Sequence, residues 1–410
     1  MTAPLAARRR PPLPQAFWFL FYGLIINRIG AFLLPFLALY LVHRGLSPAQ
    51  AGLILAAYGV GTTVSAIAGG TLADRWGRRP TIVSSLIATA ALTAPIGFVS
   101  KPQVLAALAV MIGLTANVYR PAANAAVADL VPEEERVRAF GLLYWAENLG
   151  FSAAAIAGGV IATHSFPALF LADAVTSVLF AIVIMRGLHG TRVPASAPSG
   201  SASRTGLGAV IRDGVFMAFI LLAFVFMWIY FQTSVGLPVS LLHAGLTPSR
   251  YGLVLAANGV TVVACQPAVG LVVRRMKKGH ALAAGAVLLG AGFGMFAWVR
   301  GLPLFAAAVV VWTLGEIVYS TAAPALVADL APEALRGRYQ GVWGASVGAA
   351  AITGPAMGGL IIDRLGAVWL WHACLGLGLL MAVAQWELTV SYRRSTRAAR
   401  HVTGQEAACT

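Results

Sequence analysis

A chain of 410 residues that is 59% hydrophobic and only 10% charged, with mean hydropathy +0.80, has too little polar surface to be soluble; a soluble domain carries about 25% charged residues. Its net charge of +15 comes in short clusters between apolar runs, which is a membrane-topology pattern rather than a nucleic-acid-binding face. Three scattered cysteines, Cys265, Cys374 and Cys409, give neither a disulfide framework nor a metal-ligand spacing.

From the N-terminus, Arg8-Arg9-Arg10 precede the first apolar run, and no small-residue cleavage site follows closely. That run is therefore read as a retained span and not a signal peptide. Runs of about twenty apolar residues mark spanning helices. Twelve are predicted: spans 1 to 6 at 17–42, 50–73, 80–99, 104–129, 139–163 and 166–187, and spans 7 to 12 at 214–240, 249–273, 281–300, 303–327, 339–363 and 367–389. The Ala-Ser-Pro-rich run at 195–203 has the composition of a flexible linker. The chain thus divides into an N-terminal six-helix half (1–187), a cytoplasmic linker (188–213), a C-terminal six-helix half (214–390) and a basic cytoplasmic tail (391–410). With the N-terminus inside, 22 of the 29 arginines and lysines fall on the inner side, five outside, and two, Arg28 and Arg120, within spans. Both termini and the linker are expected in the cytoplasm of a cell membrane.

The halves repeat at an offset of 200 residues. Gly45-Leu46-Ser47-Pro48 answers to Gly245-Leu246-Thr247-Pro248, Ala128-Asp129-Leu130 to Ala328-Asp329-Leu330, and Arg136, Arg138 and Gly141 to Arg336, Arg338 and Gly341. Parallel six-span repeats place a substrate site between them near mid-membrane.

The loop Gly70-Thr71-Leu72-Ala73-Asp74-Arg75-Trp76-Gly77-Arg78-Arg79 closely resembles the signature between the second and third helices of the major facilitator superfamily of secondary transporters. With the repeat, the resemblance covers essentially the whole chain. It implies an all-α integral membrane protein, twelve transmembrane helices as two six-helix pseudo-repeats, with spans 1, 4, 7 and 10 lining the cavity and 2, 5, 8 and 11 closing it. Asp74 matches the acid that faces the N-terminal end of span 11, where the helix dipole favours a carboxylate. Arg78 matches the arginine that reaches the acid closing span 4, here Asp129. With Gly70, Arg75, Gly77 and Arg79 these residues are expected to form a latch that holds the outward-open state and breaks on the inward swing; the other reading is a set of topology signals. The second-half loop, Arg274-Arg275-Met276-Lys277-Lys278, lacks the acid and the spaced glycines, so only one side of the latch is expected to be complete.

A charge at the centre of a span costs about 2.5–3.5 kcal/mol on insertion scales, so it faces a cavity or a partner. Arg28 (span 1), Arg120 (span 4), Glu147 (span 5), Asp173 (span 6) and Glu316 (span 10) are such groups. Glu316 is the candidate to take up and release a coupling proton, with Arg120 or Arg28 driving release by approach; a static Glu–Arg pair is the alternative. Glu147 joins Arg28, Arg120 and Glu316 as a proton-coupling candidate, its favoured reading being a structural partner for Arg28. Arg120, followed by Ala122 and Ala123, partly resembles the superfamily's span-4 motif, whose arginine is associated with proton coupling. Asn27, Tyr119, Trp228, Gln232 and Tyr319 are further cavity candidates, Tyr119 and Tyr319 being repeat-equivalent. The superfamily's antiporter motif Gly-Pro-x-x-Gly-Gly is expected in span 5. It stands instead in span 11 as Gly354, Pro355, Gly358 and Gly359, where small residues permit close helix packing.

Span 1, with Asn27-Arg28-x-Gly30 and Pro35-Phe36-Leu37, is similar to that of the twelve-span drug:proton antiporters. The resemblance, with the aromatics of span 7, implies a proton-coupled exporter of small lipophilic or cationic compounds working by rocker-switch alternating access; the alternative is a proton-coupled symporter or facilitator importing a small solute. The expected partners are a small-molecule substrate, protons and the lipid bilayer, with no nucleic acid, no cofactor and a monomeric state. The seven histidines lie at span ends, in loops or in the tail, without the spacing of metal ligands or of a nucleophile–base pair, so an enzyme is not expected.

Overall fold

Lipid offers no water to a backbone, so apolar runs close their hydrogen bonds within helices. In the computed structural model the described residues, 13–188, 205–332 and 335–406, are helices and short connections without a strand. The Arg8-Arg9-Arg10 cluster, the 195–203 run, Glu333 and Cys409 fall outside them. Among the described residues nine helices are long and apolar enough to cross a membrane: spans 1 (Gln15–His43), 3 (Arg78–Phe98), 4 (Pro102–Leu130), 6 (Phe166–Gly187), 7 (Gly214–His243), 8 (Pro248–Arg275), 10 (Leu302–Leu330), 11 (Arg336–Leu365) and 12 (Ala367–Leu388). Span 2 (Pro48–Trp76), bent by 44°, adds a tenth. The other two predicted spans lie in Glu133–His164 (span 5), which carries Glu147 and Asn148 at mid-length, and Lys278–Met295 (span 9), which opens on Lys278 and His280.

The repeat is written into the helix ends. Ser47 starts span 2 with a capping box to Gln50, and Thr247 caps span 8 at the equivalent position. Each follows a glycine at positive φ, Gly45 at 86° and Gly245 at 72°, a conformation that other residues adopt with strain. Span 1 is two helices, Gln15–Ile29 and Leu33–His43, broken around Gly30, and span 7 is divided at the equivalent place into Gly214–Tyr230 and Gly236–His243. Asp173 of span 6 holds the break in span 1: its Oδ2 accepts from the N–H groups of Phe32 (2.9 Å) and Leu33 (2.8 Å), donors that a helix start leaves unpaired.

Spans 1 to 6 pack on one another, as do 7 to 12, and the halves meet chiefly through spans 2 with 11 and 5 with 8. That seam is built of repeat-related glycines. A Cβ at Gly52 would lie 2.3 Å from the Pro355 carbonyl oxygen, and one at Gly252 would lie 2.2 Å from that of Ala155. Gly359 and Gly159 meet the Pro48 and Pro248 carbonyls, and Gly59 and Gly259 the backbones at Ala351 and Asn148, in the same way. All of these lie toward the face opposite the linker. There the Tyr251 hydroxyl also donates to the Pro35 carbonyl at 2.8 Å, and the two halves share one large apolar core that includes Phe36 and Tyr251. Toward the linker face the contacts cease: at Gly70, Gly141, Gly270, Gly337, Gly341 and Gly344 a Cβ would meet nothing within 4 Å. The molecule is closed on its far face and parted on its linker face.

Candidate substrate and proton site

The parted halves enclose a cavity of about 730 Å³, a volume suited to a drug-sized ligand. Its polar wall comes from the N-terminal half, with Asn27, Arg28, Tyr58, Asn117, Tyr119, Arg120 and Asp173. Leu34, Phe151, Phe231 and Ala345 make it apolar elsewhere. Spans 2, 3, 5, 6 and 11 contribute to the lining as well as 1, 4 and 7, while no residue of span 10 does.

Glu147 is the hub of the N-terminal half. Its Oε1 accepts from Arg120 Nη2 at 2.7 Å and from Arg28 Nη2 at 3.1 Å, and Arg28 Nη2 also donates to the Tyr119 hydroxyl at 2.7 Å. The pairing of Glu147 with Arg28 is as expected; its sharing with Arg120 is not foreseen by the sequence. Asn27 Nδ2 donates to Ser177 Oγ at 3.1 Å and so ties span 1 to span 6.

Glu316 sits apart from all of this. Its Oε2 accepts from Asn258 Nδ2 at 2.8 Å, and Tyr230 lies beside the carboxyl. Asn258 is in turn fixed by Thr313 Oγ1 at 3.0 Å. The expected contact between Glu316 and Arg120 is not made in this conformation, because Glu147 holds Arg120 in its own half.

Three cavity expectations are corrected. Trp228 is 6% exposed and packed in the core. Gln232 is fully buried, donating from Nε2 to the carbonyls of Trp228 (3.0 Å) and Gly354 (3.1 Å). Tyr319 stacks on Phe226 with centroids 3.8 Å apart. The small residues of span 11 explain Gln232: a Cβ on Gly358 would fall 1.9 Å from its Oε1, and one on Gly354 would fall 3.0 Å from Phe231 Cβ. Gly354 and Gly358 therefore seat span 7 within their own half, whereas Pro355 and Gly359 serve the seam.

A sequence profile of the Major Facilitator Superfamily matches residues 20–248 and 240–407, which is nearly the whole chain. The chain belongs to this superfamily. It is a multi-pass membrane transporter and not an enzyme. It is 29% identical over 403 residues to the uncharacterized MFS-type transporter YttB of Bacillus subtilis (strain 168), covering 96% of this chain and 99% of that one. It is 25% identical over 365 residues to the multidrug resistance protein MdtH of Aeromonas hydrophila, covering 88% and 91%. Among solved structures, the D323A mutant of the nucleoside transporter NupG shares the fold with a TM-score of 0.79 at 14% identity, over 92% of this chain and 100% of that one.

The transporter's signature loop carries part of its expected contacts. Arg78 Nη1 pairs with Asp74 at 2.6 Å and Arg78 Nε with Asp129 at 3.3 Å. Arg79 donates to the Met185 carbonyl at the end of span 6, and Gly77 turns the chain at φ 91°. Among the described residues Gly70 and Arg75 make no such contact, and the Asp74 side chain is 74% exposed, with Arg78 as its ion-pair partner. The second half holds a pair the sequence reading missed. Lys278 binds Asp329 and the Ala325 carbonyl, and these are the residues at an offset of 200 from Arg78 and Asp129. The repeat offset was the signal; matching the loop to the superfamily's acid and glycines hid it.

Proposed function

We propose that this transporter is a proton-coupled exporter of small lipophilic compounds, of multidrug-efflux type, working by rocker-switch alternating access with its linker face in the cytoplasm. The observation that carries the reading is Glu316, a carboxyl inside span 10 met by the neutral groups Asn258 and Tyr230, with no cation in contact among the described residues. Such a group can gain or lose a proton without stranding a charged partner. The name of the relative MdtH, a multidrug resistance protein, and the wide, largely apolar cavity support the substrate class. The excess of basic residues on the linker side supports the orientation. The conformation described, parted on the linker face, is then the one that loads substrate from the cytoplasm. Glu316 would release its proton inward here and recharge once the far face opens. On that swing Asp74 would reach span 11 and complete the latch with Arg78 and Asp129.

The test uses proteoliposomes with an imposed pH gradient and a pH-sensitive dye inside, to which a panel of lipophilic compounds is added. Substrate-dependent proton flux by the native protein that falls to the level of empty vesicles in Glu316→Gln is the expected result. Substrate movement without proton flux would make the protein a facilitator and Glu316 a structural residue.

A further inference from the structure

The charged groups lining the cavity's polar wall are Arg28, Arg120 and Asp173, and Glu147 pairs with both arginines. They are not evenly matched once their contacts are followed. Asp173 is engaged by two backbone N–H groups at the start of the second helix of span 1, where the helix terminus supplies the compensating positive charge. Glu147 must therefore serve two guanidiniums, and it does so through one oxygen. Arg28 is the enclosed member of the pair, its side chain 22% exposed. Arg120 is the open one, its side chain 47% exposed on the cavity, and beyond Nη2 its donors meet no acceptor among the described residues. The side chains of Asn117 and Tyr58 line the same wall without a side-chain hydrogen-bond partner among the described residues. A planar fork of N–H donors with unspent charge, in a partly desolvated cavity, is matched in geometry by a carboxylate. A cation brought to this wall would face the exposed Arg120, while both carboxylates are already engaged, Asp173 by backbone N–H groups and Glu147 by two guanidiniums.

We propose that the cavity selects amphiphiles with an anionic head, a carboxylate or an acid of similar shape, set against Arg120, Asn117 and Tyr58 with the apolar body on Phe151, Phe231 and Leu34. The inference rests on this cavity being the substrate site of the proposed exporter, and it reverses the expectation of cationic substrates. Three probes of one carbon frame test it: a naphthylalkyl carboxylate, its primary amide and the corresponding amine. Binding to the purified full-length protein in detergent is measured by titration calorimetry. The carboxylate is expected to bind at least about tenfold more tightly than the amide, one charge-assisted hydrogen bond being worth about 1.5–3 kcal/mol, with the amine weakest. Arg120→Gln should abolish the preference, and Arg120→Lys, which keeps the charge but not the fork, should keep part of it. Arg120→Gln leaves the Arg28–Glu147 pair intact and is expected to fold. Asn117→Leu, clear of the ion network, should weaken the carboxylate alone if folding of Arg120→Gln fails. Tighter binding of the amide or amine, or a carboxylate preference unchanged in both Arg120→Gln and Asn117→Leu, would overturn the anionic site. Proton flux separates the two readings. Flux driven by the amine or amide alone would overturn the anionic site and keep the exporter. Carboxylate binding that depends on Arg120 but drives no flux would keep the site and overturn the exporter.

Discussion

Tyr119 and Tyr319 hold equivalent places in the repeat, yet one faces the cavity and accepts a hydrogen bond from Arg28 at 2.7 Å while the other lies flat on Phe226. Their neighbourhoods diverge in the same sense. The N-terminal half gathers two arginines and a carboxylate into one network. The C-terminal half sets a single carboxyl, Glu316, among neutral groups. In the network charge is tied by balance, and removing a member leaves another uncompensated. At Glu316 no charged partner is stranded when the proton comes or goes, and the carboxylate left behind keeps the hydrogen bond from Asn258. Two halves built on one backbone plan differ in kind: one ties charge in a network, and under the proposed function the other is free to change it.

The largest effect should come from testing that division on the two carboxylates. Glu147→Gln leaves two guanidiniums facing an amide and should cost about 3 kcal/mol, the low end for breaking a buried pair because the cavity partly solvates Arg120. Glu316→Gln keeps an acceptor for Asn258 and should stay within about 1 kcal/mol of the native protein, near the net value of one hydrogen bond. Thermal unfolding of the two variants side by side decides. Equal losses would make Glu316 a structural group like Glu147, and the contrast between the halves would collapse.

A second test goes where the halves are alike. Gly52→Leu and Gly252→Leu would drive side chains into the Pro355 and Ala155 carbonyls across the seam, where a Cβ alone already approaches to 2.3 Å and 2.2 Å. Overpacking costs about 1–3 kcal/mol, and here the cost falls only on the state closed at the far face. Both variants should lengthen the distance between spin labels at His43 and His243, exposed positions on that face, and by similar amounts. A shift in one variant only would mean that the repeat is geometric and not energetic.

Much of this was legible in the sequence. The offset of 200 predicts the paired caps at Ser47 and Thr247 and the paired seam glycines, because both depend on local spacing that the repeat preserves. The pairing of Arg28 with Glu147 was legible because a charge inside a span needs a partner and few were on offer. Contacts set by a departure from regular helix were not. Asp173 has its role only because span 1 breaks near Gly30, and nothing in the spacing of the two residues announces that break. Gln232 reads as a cavity residue by type, but two backbone carbonyls, one on span 11, consume its amide. The expected meeting of Glu316 and Arg120 fails for another reason. They belong to opposite halves, and which groups face each other across the seam depends on which face of the transporter is parted.

The smallest effect concerns the two linker-face ion pairs. Arg78, its side chain 13% exposed, holds Asp74 and Asp129 together, whereas Lys278, 38% exposed, holds Asp329 alone among acids. Exposed pairs contribute about 0.2–1 kcal/mol and are screened by salt. Arg78→Met should therefore lower stability by about 1 kcal/mol and Lys278→Met by a few tenths, the usual worth of an exposed pair. At about 1 M salt, where the screening length is about 3 Å, Lys278→Met should unfold with the native protein while Arg78→Met stays measurably below it. The reason is enclosure: a half-buried guanidinium fork between two carboxylates is shielded from ions, and an ammonium at the rim is not. Equal losses at both salt concentrations would mean that the acid and glycines missing from the second loop have no energetic counterpart, and that the latch is as symmetric as the seam.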